Sequence, residues 1–262
     1  MVGIFPRRFM KKLVAIGGGD IRKRATKAID EEIIRLSGKK HPRLLFIPTA
    51  SSDSAGYWRN IQRYFGDVLR CRTDVLHLVG KTPAPAAMRR KILSADIVYV
   101  GGGNTLKMMR IWRRLGVDRM LAAAYRKGIV LCGVSAGSIC WFASGHSDSM
   151  SFYNPRKWRY INVKGLGLIR GVHCPHYDSN TRGVPRRKHF RDMIARRGGI
   201  GIAVENHCAV AFIDGKYFKI LTSKPRAAAY RVYKRRGKVL AEKIPQKSTL
   251  SPVAELYGKK YT

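Results

Sequence analysis

The sequence of residues 129–143 is IVLCGVSAGSICWFA, and it decides the fold. It begins with a short apolar run, passes through a glycine turn with Ser135 at its tip, and ends in an apolar run at Ile139–Ala143 that we expect to be a buried helix. Gly133 and Gly137 give the Gly-x-Ser-x-Gly spacing of a nucleophile elbow, in which a strained strand-to-helix turn exposes the serine. Ordinary strand-to-helix turns also show this spacing, so the rest of the chain must decide between the two interpretations.

The pattern around this turn predicts an α/β fold. Apolar segments alternate with helical segments, and the apolar segments are continuous, as in parallel strands buried on both faces. A glycine loop at residues 101–103 follows the preceding strand, and parallel strands end at one edge of a sheet, so we expect this loop beside Ser135. After residue 144 the pattern changes to short strands and hairpins. The strands predicted before the turn are 12–16, 43–47, 75–79, 96–100 and 129–131.

The length of 262 residues suits a single domain, with a basic N-terminal extension over residues 1–11 and a loose C-terminal tail from about residue 246. No apolar segment approaches the roughly 20 residues of a bilayer-spanning helix. Residues 1–12 lack the apolar core and cleavage site of a signal peptide. The five cysteines form no Cys-x-x-Cys pair, which disfavours disulfides and a zinc site. These features predict a cytoplasmic protein with no metal and no cofactor.

The charge of the chain is unusual, because 52 Lys and Arg residues against 16 Asp and Glu residues give a formal net charge of +36. Such a protein is expected to bind polyanions non-specifically at low salt. The basic residues are spread along the whole chain and form no known nucleic-acid-binding motif, which favours a generally cationic surface. Specific binding of nucleic acid remains the alternative from a different functional class.

Serine chemistry requires a general base and an oxyanion hole near Ser135. His176 is the best candidate for the base, because it lies in a loop just after a predicted strand, whereas His173 belongs to that strand and is expected to be packed. Acidic residues are sparse in this chain, which makes Asp148 and Glu205 the candidates to orient the base. Each of them could instead pair with one of the many cations. The remaining candidate histidines are His146 and His207.

Four short motifs follow one another along the chain: VGGGNT at 100–105, GVSAGS at 133–138, CPHY at 174–177 and GIAVEN at 201–206. Together they resemble the peptidase E (aspartyl dipeptidase) and cyanophycinase family of serine peptidases. The segment GHSDS at 145–149 is similar to the uncharacterised bacterial peptidase E-like branch of that family. The resemblance implies a three-layer α/β sandwich with a mostly parallel sheet, similar to class I glutamine amidotransferases and flavodoxin, with the C-terminal β-hairpins added.

The resemblance also implies a catalytic triad. Ser135 is the expected nucleophile, and His176 is expected to take its proton and return it to the leaving amine. Asp148 is the expected third member of the triad, since it falls in the region after the elbow where the family places that acid. Glu205 matches another acidic position proposed for the same role, and it is the second choice.

Further roles follow from the same resemblance. The backbone amides of Gly103 and Ala136 are expected to form the oxyanion hole. Asn104 is expected to hold the glycine loop by side-chain hydrogen bonds and is counted with the substrate-binding residues. Arg186 is the other substrate-binding candidate, because a guanidinium can bind an acidic side chain through two hydrogen bonds.

The predicted activity is hydrolysis of short peptides that carry an N-terminal aspartate at the cleavage site, through an acyl-enzyme. One alternative is a cyanophycinase-like hydrolase of aspartyl polymers. The other is a non-catalytic protein of this fold that binds polyanions or nucleic acid through its basic surface. The expected partner is a small peptide, with no membrane association, and the protein is expected to be a monomer or a homodimer.

Overall fold

The computed structural model describes residues 10–258, which form two large β-sheets, a small two-stranded sheet and the helices around them. The strands are β1 (Lys12–Ile16), β2 (Arg43–Ile47), β3 (Arg72–Val75), β4 (Ile97–Val100), β5 (Val130–Val134), β6 (Phe142–Ser147), β7 (Ile161–Lys164), β8 (Ile169–Pro175), β9 (Asn180–Thr181), β10 (Val184–Pro185), β11 (Ile200–Val204), β12 (Cys208–Ile213), β13 (Tyr217–Thr222), β14 (Ala229–Arg235), β15 (Lys238–Lys243) and β16 (Ser251–Pro252). The α-helices are α1 (Lys27–Ser37), α2 (Ala55–Ile61), α3 (Pro85–Ser94), α4 (Thr105–Leu115), α5 (Val117–Arg126), α6 (Ala136–Ile139), α7 (Arg186–Arg197) and α8 (Val253–Tyr257).

The central sheet has eight strands in the order β16-β13-β12-β1-β5-β4-β2-β3. The strands from β1 to β3 in this order are parallel to one another, and β12, β13 and β16 are added beside β1 with antiparallel pairing. The predicted α/β fold with a mainly parallel sheet is therefore confirmed, as are the C-terminal hairpins, which are β12–β13 and β14–β15. The carboxyl ends of β1, β4 and β5 lie side by side at one edge of this sheet.

Both faces of the central sheet are covered, which gives three layers. Along β1, Val14 and Ile16 pack into a core that includes α1 and α2. Leu13 and Ala15 pack into a larger core with α3, α4, α5 and strands of the second sheet. This burial on both sides explains why β1 is continuously apolar. No helix in the described part of the chain is long and apolar enough to cross a membrane.

The second large sheet has six strands in the order β15-β14-β11-β8-β6-β7, and β8 is parallel to both of its neighbours. Its outer face is covered by α7, whose Phe190 and Ile194 pack against Cys174 and Ala203. The chain therefore passes from the central sheet to the second sheet within a few residues of Ser135, because β5 belongs to the first and β6 to the second. The sequence did not predict this second sheet as a unit.

The segment after the elbow differs from its prediction as a buried helix. Helix α6 contains only Ala136–Ile139, and Phe142–Ser147 forms strand β6. A short apolar run does not by itself distinguish a buried helix from a buried strand. Pairing with β7 and β8, which are distant in sequence, supplies the backbone hydrogen bonds that make this segment a strand.

Two other predicted segments need correction. The third strand covers Arg72–Val75 rather than 75–79, because these are the residues that pair with β2. The C-terminal tail is not loose throughout: β16 pairs with β13, and Leu256 and Tyr257 of α8 are buried. Residues 1–9 of the predicted N-terminal extension and residues 259–262 of the tail lie outside the described residues.

Candidate active site

Ser135 lies at the tip of a tight turn between β5 and α6. Its backbone has φ 59° and ψ −115°, a strained conformation of the kind found in nucleophile elbows. Its N–H donates a hydrogen bond of 3.2 Å to the carbonyl oxygen of Ile16, which holds the turn against the end of β1. The flanking glycines are required by packing. A Cβ atom at Gly133 would lie 2.3 Å from the carbonyl oxygen of Gly137, and one at Gly137 would lie 2.1 Å from that of Val100.

His176 follows β8 and lies near the same end of β1. Its Nδ1 lies 2.9 Å from Oδ1 of Asn206. Gly18 packs directly against this pair, since a Cβ atom there would come within 2.3 Å of Nδ1 of His176 and 2.1 Å of Oδ1 of Asn206. The segment that continues β1 thus contacts His176, and β1 itself ends at Ile16, which accepts the hydrogen bond from Ser135. The elbow and the candidate base therefore share one edge of the central sheet.

The side-chain amide of Asn206 is held in one orientation by Asp178 and Ser179. Its Nδ2 donates to Oδ1 of Asp178 at 3.0 Å and to Oγ of Ser179 at 2.6 Å. The backbone N–H of Asn206 donates to the same oxygen of Asp178 at 3.0 Å. The amide oxygen is left to accept the hydrogen bond from Nδ1–H of His176. The Nε2 atom of His176 then carries the lone pair that a general base needs.

The imidazole of His176 is kept neutral mainly by its burial. Removal of the ring from water lowers its pKa to about 4, and the charge of Arg186 acts in the same direction. The hydrogen bond with Asn206 and the charges of Asp148 and Asp178 oppose this shift without cancelling it. At neutral pH the ring is therefore uncharged and able to accept a proton.

Asp148, the predicted third member of the triad, contacts a different partner. Its Oδ2 accepts hydrogen bonds from Nη2 of Arg186 at 2.7 Å and from Oγ1 of Thr181 at 3.1 Å. The side chain of Arg186 is only 3% exposed and that of Asp148 is 23% exposed, so the ion pair is largely buried. The carboxylate of Asp148 thus neutralises Arg186 and makes no hydrogen bond with His176, and its place in the triad stays a prediction.

Glu205, the second choice of acid, also has other partners. Its Oε1 accepts from Nη2 of Arg187 at 3.1 Å, and its Oε2 accepts from the backbone N–H of Ala228 at 3.0 Å. The residue that holds His176 is its neighbour Asn206, which sequence reasoning missed. The signal was present, because Asn206 ends the GIAVEN motif, but the search was for a carboxylate and an amide was passed over.

The two residues predicted to bind substrate are both buried. Asn104 is 4% exposed, and its Oδ1 accepts a hydrogen bond of 3.0 Å from the backbone N–H of Lys107, so it caps the start of α4. Arg186 donates to the carbonyl oxygen of His146 at 3.4 Å, and its guanidinium lies 5.0 Å from the centre of the Tyr160 ring. Both side chains thus have structural contacts, and Asn104 holds the start of α4 after the glycine loop; their predicted contacts with substrate stay predictions.

The glycine loop before α4 lies against Ser135. A Cβ atom at Gly102 would lie 3.3 Å from Cβ of Ser135. Gly103 has a φ of 135°, and a Cβ atom there would lie 2.2 Å from the carbonyl oxygen of Ala50, so the loop requires glycine. The backbone N–H groups of Gly103 and Ala136 donate no hydrogen bond to any group within residues 10–258. Both N–H groups are therefore available to an external acceptor, and the oxyanion hole stays a prediction.

A buried network lies behind the strained turn. The hydroxyl of Ser138 is 2.7 Å from the carbonyl oxygen of Ser135 and 2.8 Å from Nε2 of His173. Nδ1–H of His173 donates to the carbonyl oxygen of Ile202 at 3.0 Å, and the ring stacks on Phe142 at a centroid distance of 4.5 Å. Burial lowers the pKa of His173 to about 3, so this ring is neutral. His173 is thus packed, as predicted, and supports the elbow from inside the protein.

A cavity of about 500 Å³ opens beside His176. Asn206 and His207 form part of its wall, together with Lys23 and Lys224. This volume is within the usual range for small-ligand sites. In the described part of the chain, no three His, Cys, Asp or Glu side chains are grouped so that they could hold a metal ion.

Comparison with known proteins identifies the family. The profile of Peptidase family S51 matches residues 13–220. The chain is 32% identical over 240 residues to the uncharacterized peptidase YgaJ of Bacillus subtilis, a match that covers 91% of this chain and 99% of that protein. It is 28% identical over 160 residues to Peptidase E of Streptomyces coelicolor, covering 58% of this chain and 60% of that protein.

A solved structure shows the same fold. The peptidase from an acI-B1 actinobacterium matches with a TM-score of 0.67 at 17% identity, covering 94% of this chain and 98% of that one. The family match extends over the elbow, the glycine loop and the CPHY and GIAVEN motifs, which confirms the predicted resemblance to peptidase E. The chain is therefore a member of Peptidase family S51, and it is a serine peptidase.

Proposed function

We propose that this peptidase removes an acidic N-terminal residue from short peptides, with Ser135 as the nucleophile and His176 as the general base. One observation carries the proposal. At the carboxyl end of β1, Ile16 accepts a hydrogen bond from the strained elbow of Ser135, and Gly18 just beyond it packs against His176, whose tautomer is fixed by Asn206. This arrangement supports activation of Ser135, which requires an oriented neutral imidazole within reach of its hydroxyl.

The first half-reaction transfers the acyl group to the enzyme. Nε2 of His176 takes the hydroxyl proton of Ser135 as Oγ bonds to the peptide carbonyl carbon, and the carbonyl π electrons move onto oxygen. The N–H groups of Gly103 and Ala136 stabilise that oxyanion. When the oxyanion collapses, the carbon–nitrogen bond breaks and His176 gives its proton to the leaving amine.

The second half-reaction restores the enzyme. A water molecule gives a proton to Nε2 of His176 and attacks the ester carbon, and the same two amides stabilise the second oxyanion. Collapse releases the acidic residue with a free carboxylate, and His176 returns the proton to Oγ of Ser135. The two steps together consume one water and break one peptide bond.

Asn206 serves as the third member of this triad in our proposal, in place of Asp148 or Glu205. Its amide oxygen accepts from Nδ1–H of His176, which fixes the ring and its tautomer as an aspartate would. An amide carries no charge, so it stabilises the transient imidazolium less strongly than a carboxylate. Asp178 accepts a hydrogen bond from the amide nitrogen of Asn206, so its negative charge acts on His176 through Asn206 rather than by direct contact.

The preference for an acidic residue is supported by the similarity to a protein named Peptidase E and by the positive charge of the site. The relative from Streptomyces coelicolor carries the name Peptidase E. The cavity beside His176 is lined by Lys23 and Lys224, and Asp20 is the one acid among its lining residues. A carboxylate entering this cavity would be attracted rather than repelled.

The test is hydrolysis of a panel of dipeptides with Asp, Glu, Asn or Ala at the first position, together with labelling by a fluorophosphonate. We expect Ser135→Ala to abolish both hydrolysis and labelling. Ser94→Ala is the matched control, since its hydroxyl contacts only the carbonyl oxygen of Lys91 at the end of α3. Hydrolysis that survived in Ser135→Ala would overturn the proposed nucleophile. Equal rates for Asp and Ala peptides would overturn the proposed specificity.

A further inference from the structure

Two further hollows adjoin the cavity beside His176. The second hollow, of about 310 Å³, shares Gly19 and Asp20 with the first. The third, of about 350 Å³, shares Ile21, Arg22 and Asn60 with the second. The three hollows adjoin one another through these shared residues, and we call them together the basic groove. It runs from the candidate base, past the turn at residues 20–24, to the segment that follows α2.

The basic groove carries an excess of unpaired positive charge. Lys23 and Lys224 line its first part, and Arg24 and Arg63 line its third part. All four side chains are exposed, and they make no hydrogen bond and no ion pair with any described residue. The one acid in the lining, Asp20, is already paired with Arg22 at 2.9 Å. The groove therefore offers four cations that have no hydrogen-bond or ion-pair partner within residues 10–258.

The chemistry of the lining favours a peptide over a nucleic acid. Single-stranded nucleic acids are bound by exposed aromatic rings on which bases stack. The aromatic residues that line the basic groove are Tyr57 and Tyr64. Tyr64 is 4% exposed and its hydroxyl is bound to Asp30, while Tyr57 packs edge-on against Phe46. Neither ring is presented as a stacking platform, whereas lysine and arginine side chains match carboxylates directly.

We propose that the basic groove binds acidic oligopeptides, so that carboxylates beyond the residue attacked by Ser135 contact Lys23, Lys224, Arg24 and Arg63. This inference rests on the proposed function, because it places the scissile bond at His176, and it extends the substrate class from dipeptides to longer acidic chains. The groove selects for several carboxylates in sequence along the peptide. It gives a local role to a part of the positive charge that is otherwise spread over the whole surface.

The test measures binding and turnover separately. Binding of fluorescein-labelled tetra-aspartate and tetra-asparagine is measured by anisotropy on Ser135→Ala, which cannot consume the peptide. We expect tetra-aspartate to bind more tightly, and Lys23→Ala with Lys224→Ala to weaken it about tenfold. The matched control is Lys81→Ala with Lys238→Ala, which removes the same net charge from exposed positions outside the groove. We expect this control to change the affinity by less than about twofold.

Three results would overturn the groove as an acidic-peptide site. These are equal affinity for the two tetrapeptides, an equal loss in the Lys81 and Lys238 control, or tighter, equally lysine-dependent binding of a single-stranded oligonucleotide of the same charge. Turnover of Asp dipeptides by the wild-type enzyme reports on the proposed function alone. If the wild-type enzyme cleaves Asp dipeptides but tetra-aspartate binds no more tightly than tetra-asparagine, the proposed function stands and the groove proposal is wrong. Tight binding of tetra-aspartate without any turnover of Asp dipeptides would support the groove and overturn the proposed function.

Discussion

Two polar clusters lie at the ends of neighbouring strands of the second sheet, and they use aspartate in opposite ways. After β6, Asp148 forms an ion pair of 2.7 Å with the buried Arg186. After β8, His176 is held by the neutral amide of Asn206, and Asp178 lies behind that amide. A buried guanidinium without a counter-charge is very costly, so the first carboxylate is needed for stability. In the second cluster, an imidazole is oriented without a directly bound carboxylate.

The largest effect is expected from Asn206→Ala, which removes the acceptor for Nδ1–H of His176. The ring then loses its fixed tautomer, and we expect kcat to fall about 10³-fold, by analogy with tautomer loss in other serine triads. The midpoint of thermal unfolding should change little. Dipeptide hydrolysis and thermal unfolding measure the two effects. Asn180→Ala, at an exposed position nearby, is the control. Retention of kcat within about tenfold would remove Asn206 from the triad.

Asp148→Asn should show the opposite pattern, a loss of stability with a smaller loss of activity. It leaves Arg186 buried without its counter-charge, and we expect the free energy of unfolding to fall by about 3 kcal/mol. The kcat of the folded enzyme should stay within about tenfold of the wild type. Urea unfolding and hydrolysis under native conditions measure these quantities. Adding Arg186→Met should recover part of the stability. A drop in kcat as large as that of Asn206→Ala, with unchanged stability, would show that Asp148 is the third member of the triad.

Asn206→Asp tests how charge at the base changes its pH dependence. In the wild type the pKa of His176 is lowered to about 4 by burial, so activity should be lost only as the pH falls through about 4. A carboxylate at position 206 favours the protonated ring, and we expect the acidic limb of the kcat/KM profile to move upward by about 1 to 2 pH units. A profile measured from pH 3 to 9 gives this shift. An unchanged acidic limb would show that His176 is not the titrating base.

Asp30 extends the comparison to a carboxyl without a cation. It is fully buried, and among residues 10–258 its side chain accepts hydrogen bonds only from the hydroxyls of Thr26 and Tyr64. Its burial raises its pKa to about 7. The folded protein therefore holds this proton over a range in which the unfolded chain, with a pKa of about 4, has lost it. Stability should fall as the pH rises from about 4 to about 7, by at most about 1.4 kcal/mol per pH unit, and then level off.

Asp30→Asn should flatten that dependence, because the asparagine does not titrate. Urea unfolding at a series of pH values measures the slope for both proteins. Asp67→Asn, at an exposed position, is the control and should leave the slope unchanged. Identical slopes in wild type and Asp30→Asn would show that the buried carboxyl is not protonated in the folded state.

The local parts of the fold and site could be predicted from the sequence. The strands of the parallel sheet are continuous apolar runs, and the elbow is marked by Gly133 and Gly137, whose packing leaves no space for a side chain. Each of these features depends on residues close together in the chain. The same is true of the glycine loop, which lies beside Ser135 because parallel strands end at a common edge.

The partners of the acidic residues could not be predicted in this way. The choice between Arg186 and His176 as the partner of Asp148 depends on how β6, β8 and α7 pack, which is determined by contacts between residues far apart in sequence. In a chain with 52 Lys and Arg residues, every acid has many possible partners. The second sheet was missed for a related reason, since β6 becomes a strand only by pairing with β7 and β8.

The chain runs from β5 through the elbow into β6. The position of Ser135 relative to His176 therefore depends on the register in which β6 pairs with β8. Ser135 lies just ahead of β6, and His176 directly follows β8, which is hydrogen-bonded to β6 in parallel. A slip of one residue between these strands would shift the base by about 3.3 Å relative to the nucleophile, too far for proton transfer. The relative position of Ser135 and His176 therefore depends on how the strands of the second sheet are paired.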